Sequence, residues 1–272
     1  MRITEALLRK IIRETILKEI DIEDVGESCW AAGSTHDLMT CTIGKDRYYL
    51  KFSNPRMFYT GENPSLQILN EYLSYMIYRL FPAASIPSGI ELVFDKKGSR
   101  VGLATSAVAH GNYMPPKRLA KLLSAGVYVD ILLANWDISN NANVVVSPEG
   151  DRATRIDLGG NLDFRAQGRR KGNMFGDRAG ELETMHPGSS KRITNVFDGA
   201  DLREAADTFM SVTWGEISSR ISEVREQVGL DLEKRGMDDL LEKWYEYVDH
   251  VTPIMSKRHA EVRAHAERML RT

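Results

Sequence analysis

Residues 128–164 constrain this chain more than any other stretch, because they set a densely polar loop between two runs that must be buried. Tyr128-Val129-Asp130-Ile131-Leu132-Leu133-Ala134 reads as the end of a buried helix, and residues 135–143 supply the polar loop. Val144-Val145-Val146 then reads as a strand, Ser147-Pro148-Glu149-Gly150-Asp151 as a turn, and the residues up to Ile156 as a second short strand. Apolar strands on both sides pin the polar groups, so Asp137, Asn143 and Asp157 are expected to converge at one end of a small hairpin. Oxygen ligands grouped in that way suit a hard cation such as magnesium, which keeps some waters and takes its remaining ligands from phosphates.

Upstream, the period changes to that of strands over residues 27–30, 38–43 and 47–52, with Ile43-Gly44-Lys45-Asp46 as a hairpin turn. The small residues Gly33, Ser34 and Thr35 lie in the first turn, where backbone N–H groups can approach phosphate oxygens; by itself that loop reads as an ordinary hairpin. Alternation places Lys51 on the face opposite Leu50 and Phe52, and a strand lysine so flanked wants a partner. The next helix spans residues 65–81, capped by Ser65 and striped by Leu66, Leu69, Leu73, Ile77 and Leu80. Glu71 lies near that stripe; taken alone it reads as part of a solvated face. Two strands follow over 89–94 and 100–108, then an irregular connection through His110 and Gly111 and helices over 116–133.

The ordered set of strand lysine, helix glutamate, Asp loop with Asn, and Asp157-Leu158-Gly159 resembles the catalytic core of the protein-kinase-like superfamily, in particular its HipA-like and phosphatidylinositol-kinase-like branch. The resemblance covers roughly residues 24–200 and implies an α+β, two-lobed fold, a small antiparallel β-sheet lobe followed by a larger helical lobe. The corresponding division is an N-terminal helix at 1–22, a sheet lobe at 23–108 and a helical lobe at 109–272. It implies ATP and Mg2+ as cofactors. Lys51 would hold nucleotide phosphates, with Glu71 orienting it; Asp137 would be the catalytic base; Asn143 and Asp157 would bind the metal. Gly33, Ser34, Thr35, Ser106 and Val108 would line the nucleotide, the last two through the backbone between the lobes. The family's Asn follows its Asp by five residues, whereas position 142 here is Ala, so Asn140 and Asn141 stay open beside Asn143. The implied function is phosphotransfer to a protein hydroxyl; an inactive kinase-shaped binding or virion module and an AMP-transferring enzyme use the same parts.

Composition limits the other classes. A chain of 272 residues with 42% apolar and 27% charged residues can bury a substantial core, and a net charge of −2 gives no global signal for nucleic acid. No apolar run approaches the ~20 residues of a membrane span. Two cysteines, Cys29 and Cys41, lack metal-ligand spacing and fall on neighbouring strands; they are expected to be reduced, in a cytoplasmic compartment, with a bridge between them as the alternative. Residues 3–20 read as an amphipathic helix, packed on its own domain or docking a partner; it is similar to short leaders on proteins of large tailed phages, which would place the chain in host cytoplasm or virion.

Residues 165–200 are polar and rich in glycine. In the resembled family this is the substrate segment, usually mobile, and Arg165, Arg169, Arg170 and Lys171 there could meet an acidic substrate, a phosphate or only solvent. Helices are expected over 201–212, 214–228 and 237–270, with Pro253 breaking or kinking the last. His250, His259 and His265 read as helix-surface residues.

Overall fold

The computed structural model describes residues 29–32, 37–43, 46–52, 63–94, 100–165 and 168–272. The helix expected over 3–20 and the loop residues Gly33, Ser34 and Thr35 lie outside them. Alternating residues in the first part build an antiparallel sheet of β1 (Cys29–Ala32), β2 (Asp37–Ile43), β3 (Asp46–Phe52), β4 (Ile90–Phe94) and β5 (Val101–Ser106), ordered β1-β2-β3-β5-β4. Leu50 and Phe52 of β3 join Cys41, Val93 and Ala104 in a small apolar cluster on one face. Tyr49 and Lys51 line a cavity on the other, as a period of two requires.

The register also corrects the expected redox state. Cys29 and Cys41 are direct partners between β1 and β2, and Cys41 is disulfide-bonded. Antiparallel pairing brings facing Cβ atoms to about 4.5 Å, which is close enough for a bridge.

The remainder is helical around one hairpin, giving an α+β chain with its sheet first and its helices after. It comprises α2 (Pro116–Leu122), α3 (Val127–Leu132), the hairpin β6 (Val144–Val146) and β7 (Ala153–Arg155), α4 (Glu181–Thr184), α5 (Leu202–Met210), α6 (Trp214–Glu233) and α7 (Asp238–Arg271). Among the described residues no helix is long and apolar enough to cross a membrane. Thr213 and Glu216 form a capping box that starts α6. Pro253 lies inside α7 and does not end it; Val248, Val251 and Met255 stay buried on both sides, offsetting the one backbone hydrogen bond that proline removes.

Helix α1 (Pro64–Tyr78) joins the two parts. Its cap is Asn63, not Ser65: the Asn63 side chain accepts from the Ser65 N–H at 2.9 Å, and Pro64 fills the first helical position, where a missing N–H costs nothing. Every residue from Ser65 to Tyr78 is buried, because β4 and β5 pack on one flank and α6 and α7 on the other. One continuous apolar core therefore runs from Leu92 and Leu103 of the sheet through Leu69 and Leu73 to Trp244 and Val248.

Two other expectations change. Residues 168–200 are anchored, with Phe175, Ala179, Met185 and Phe197 buried. Arg258 of α7 fixes them by donating to Arg178 O at 2.8 Å and to Glu181 at 2.6 Å, and reaches Leu132 O and Ile131 O from the same guanidinium. His259 is buried against Phe209 and Trp214, and His265 is half-buried against Tyr128 and His186, so neither belongs to the helix surface.

Candidate functional site

A cavity of about 370 Å³ opens between the sheet and the β6–β7 hairpin. Lys51 enters it from β3 and spans two carboxylates, Glu71 of α1 at 2.7 Å and Asp157 at 2.6 Å. Burial alone would lower the pKa of this ammonium; the attraction of Glu71 and Asp157 outweighs it and holds the group well above its ordinary value. Glu71 is buried in the same cluster, where desolvation pushes its pKa up and the Lys51 charge pulls it down. Asp157 is 51% exposed and faces the cavity.

A polar stripe on α1 holds the Asp157-Leu158-Gly159 segment in place. Gln67 donates to Gly159 O at 3.3 Å and Arg165 O at 3.1 Å, and Asn70 donates to Gly159 O at 3.3 Å and Asn161 O at 3.2 Å. Tyr247 of α7 in turn donates to the Asn70 carbonyl oxygen. Asp157 itself takes the left-handed conformation at φ 54, which aspartate tolerates better than most residues. A Cβ on Gly159 would lie 3.1 Å from Glu71 Oε2 and 3.4 Å from Lys51 Nζ, so only glycine lets the segment approach the ion pair this closely.

Two successive 3-10 turns, Trp136–Ser139 and Asn141–Asn143, wind the polar loop. The Asn143 amide donates to Asp137 O at 3.1 Å, and the Asn143 carbonyl accepts from Ile156 N at 2.9 Å, immediately before Asp157. These two bonds tie the three residues of the opening stretch into one unit. The Asn140 side-chain oxygen, Oδ1, accepts from Ala142 N, its backbone carbonyl accepts from Asn143 N at 2.9 Å, and Asn140 is exposed. Asn143 lines the cavity together with Ala142 and Asp157. Asp137 is half-buried and lines an adjoining cavity; desolvation raises its carboxyl pKa, which Lys171 and Lys51 partly counter.

Ser106 and Val108 also line the first cavity. The N–H groups of Ser106 and Ala107 are committed to Gly89 O and Arg47 O, both at 2.8 Å. Gly111, just beyond, donates to Val146 O at 2.7 Å and packs so closely on the Ser147 carbonyl that a Cβ has no room. Of the residues singled out in the sequence, Lys51, Glu71, Asp157, Asn143, Ser106 and Val108 share one cavity, with Asp137 beside it; Gly33, Ser34 and Thr35 fall outside the described residues.

The sequence reading missed Gln67, Asn70, Tyr75 and Tyr247 as parts of the site, and named Lys171 only as one of four basic residues in a polar segment. A signal existed for the first two. Gln67, Asn70, Glu71 and Ser74 repeat at helical spacing inside an apolar helix, a narrow polar stripe that must bond to something when the helix is buried on all sides.

The donor set fits a magnesium ion. A half-exposed carboxylate and an amide on one cavity wall leave most positions for water and phosphate oxygens, which is how this ion is usually held. Among the described residues, no cluster of three or more His, Cys, Asp or Glu offers a separate cage.

No family model matches the chain, and no curated protein matches it. Among solved structures it is similar to CtkA, a proinflammatory kinase of Helicobacter pylori, at 12% identity and a TM-score of 0.49, over 88% of this chain and 93% of that one.

Proposed function

We propose that the chain is an ATP- and magnesium-dependent phosphotransferase with a two-lobed, protein-kinase-like fold, the sheet forming one lobe and the helices the other, acting on a protein hydroxyl. The observation that carries this reading is the Lys51 ammonium bridging Glu71 and Asp157 at the wall of an inter-element cavity that Asn143 also lines. Phosphoryl transfer asks mainly for positioning and charge compensation, and this arrangement supplies both. The motif order and the lack of an A-P-E sequence favour the HipA-like and phosphatidylinositol-kinase-like branch.

In this reading, Lys51 neutralises the non-transferred phosphates while Glu71 and the α1 stripe hold its position. The Val108 backbone meets the adenine edge, since the two preceding N–H groups are already committed. Asn143 and Asp157 hold magnesium, which supplies neutralisation of charge on the phosphate oxygens. Asp137, whose carboxylate makes no ion pair among the described residues, orients the acceptor hydroxyl. The hydroxyl oxygen bonds to the γ-phosphorus as the bond to the β-bridging oxygen breaks; ADP leaves with the electron pair, and the proton passes to Asp137.

Magnesium-ATP is expected to raise the melting temperature of the wild type. Incubation with ATP labelled at the γ position should then label an acceptor, a casein or histone mixture or the chain itself. Label retained only from the α position would replace phosphotransfer by AMP transfer. A flat thermal response together with no label would leave a binding module.

A further inference from the structure

Beside the nucleotide cavity lies a second one of about 340 Å³, lined by Asp137, Lys171, Arg165, Arg169, Trp136 and Met174. Its charge balance is unusual for a cleft next to a catalytic carboxylate, with three cations facing a single aspartate. The neighbouring Arg170 is fully used: it pairs with Asp163 at 3.0 Å and lies over the Phe164 and Tyr247 rings. The other two arginines are not. Among the described residues, Arg165 reaches only the Met174 sulfur, a weak acceptor, and Arg169 makes no side-chain hydrogen bond or ion pair.

Lys171 makes the stronger argument, because an exposed arginine costs little whereas a buried cation without a carboxylate partner costs several kcal/mol. Its side chain is 7% exposed. Two of its three N–H donors go to Ala134 O at 2.7 Å and Gly160 O at 2.6 Å, and both acceptors are neutral carbonyls. Burial pulls its pKa down to about 7, against the pull of Glu181 and Asp137 in the other direction. In its protonated form this fixed ammonium has one donor to spare, and on the wall of a cavity flanked by two arginines it is a receptor for an anion, whose charge in turn favours that form.

We propose that this second cavity is the acceptor subsite, and that it selects a hydroxyl carried beside a phosphate or carboxylate, which Lys171, Arg165 and Arg169 hold while the hydroxyl faces Asp137. The inference rests on the phosphotransferase reading for the role of Asp137, but the anion site itself stands on the geometry of the three cations. Trp136 and Met174 supply an apolar wall for the carbon skeleton between the two groups.

The test is calorimetric titration of the full chain saturated with magnesium and β,γ-imido-ATP. Glycerol 3-phosphate is compared with glycerol, and a short peptide bearing serine beside phosphoserine is compared with its unphosphorylated twin. At least one anionic probe is expected to bind about ten-fold tighter than its neutral twin. The arm that binds reports whether the anion arrives on a small molecule or on a peptide. The double variant Arg165→Gln/Arg169→Gln should lose that preference while keeping the wild-type thermal shift with magnesium-ATP. A wild type that prefers neither anionic probe, or a double variant that retains the preference, overturns the proposal. A wild type that shows no thermal shift with magnesium-ATP overturns the nucleotide reading instead, so the two failures are distinguishable.

Discussion

Two clusters in this molecule pair an aspartate with a cation at almost the same distance, and they do opposite things. In the first, Lys51 meets Asp157 at 2.6 Å, with Asp157 51% exposed to a cavity. In the second, Arg155 meets Asp130 at 2.7 Å with the two side chains 1% and 0% exposed. The sealed pair is also saturated, because Asp130 accepts from Asn135 and Tyr78 as well, and Arg155 donates to Leu123 O. Ion-pair geometry therefore does not separate a reactive site from a structural one. Access and spare coordination capacity do, since a carboxylate whose lone pairs are all taken cannot accept a metal or a proton without unfolding its surroundings.

The largest expected effect sharpens that contrast on the open side. Asp137→Asn should lower turnover by about 10²–10⁴-fold, the usual contribution of a positioned proton acceptor, while leaving the melting temperature nearly unchanged. Wild-type turnover should fall with acid at a pH above the ordinary aspartate range, because desolvation raises the Asp137 pKa. A rate profile flat down to pH 4 would remove Asp137 from the role of base.

On the sealed side, Asp130→Ala should cost about 3–5 kcal/mol of stability by stranding the Arg155 charge. Asp157→Asn, made in the exposed pair, should cost under about 1 kcal/mol but remove the magnesium-ATP thermal shift. Denaturant melts of the two variants side by side would break the comparison if they fell equally.

A third cluster extends the contrast to a buried site without any ion pair. His186 is 3% exposed and lies against Tyr128 and His265, and burial holds its pKa down at about 4. A histidine with a depressed native pKa binds its proton more readily when unfolded. Stability present above pH 6.5 is thus lost as pH falls toward 4, by about 3 kcal/mol for this group. His259 and His265 are shifted in the same direction and add to the slope. Denaturant melts between pH 7 and 4 measure it, and His186→Gln should flatten the curve.

The smallest effect lies at the boundary of the open cluster. Gly159→Ala inserts a methyl 3.1 Å from Glu71 Oε2, which must shift by a few tenths of an ångström. A loss of about 1 kcal/mol in nucleotide affinity is expected, read by calorimetry, with the fold intact.

The contrast also explains what the sequence could reveal. Lys51 was legible because it interrupts an apolar strand period, and Asp137, Asn143 and Asp157 because apolar runs flank the polar residues on either side of a short hairpin. The two 3-10 turns that return the Asn143 side chain to the Asp137 carbonyl are not revealed by spacing alone. Glu71 was ambiguous because a helix packed on all sides and one packed on a single side both carry apolar residues at every third or fourth place. Asp130, Arg155 and the burial of Lys171 were not legible, since their partners are carbonyls and side chains brought together only by the tertiary fold. Of the break or kink expected at Pro253, the break does not occur, because local propensity loses to packing along a long helix.

That long helix has a mechanical consequence. A rod of 34 residues extends about 50 Å, and it is bolted at intervals to unrelated parts of the chain. Tyr247 grips the helix that carries Glu71, Arg258 clasps the backbone behind the polar loop, and the Glu261 carboxylate takes the Ala179 N–H at 2.6 Å. It is built as a strut, one axis that holds together segments far apart in the sequence.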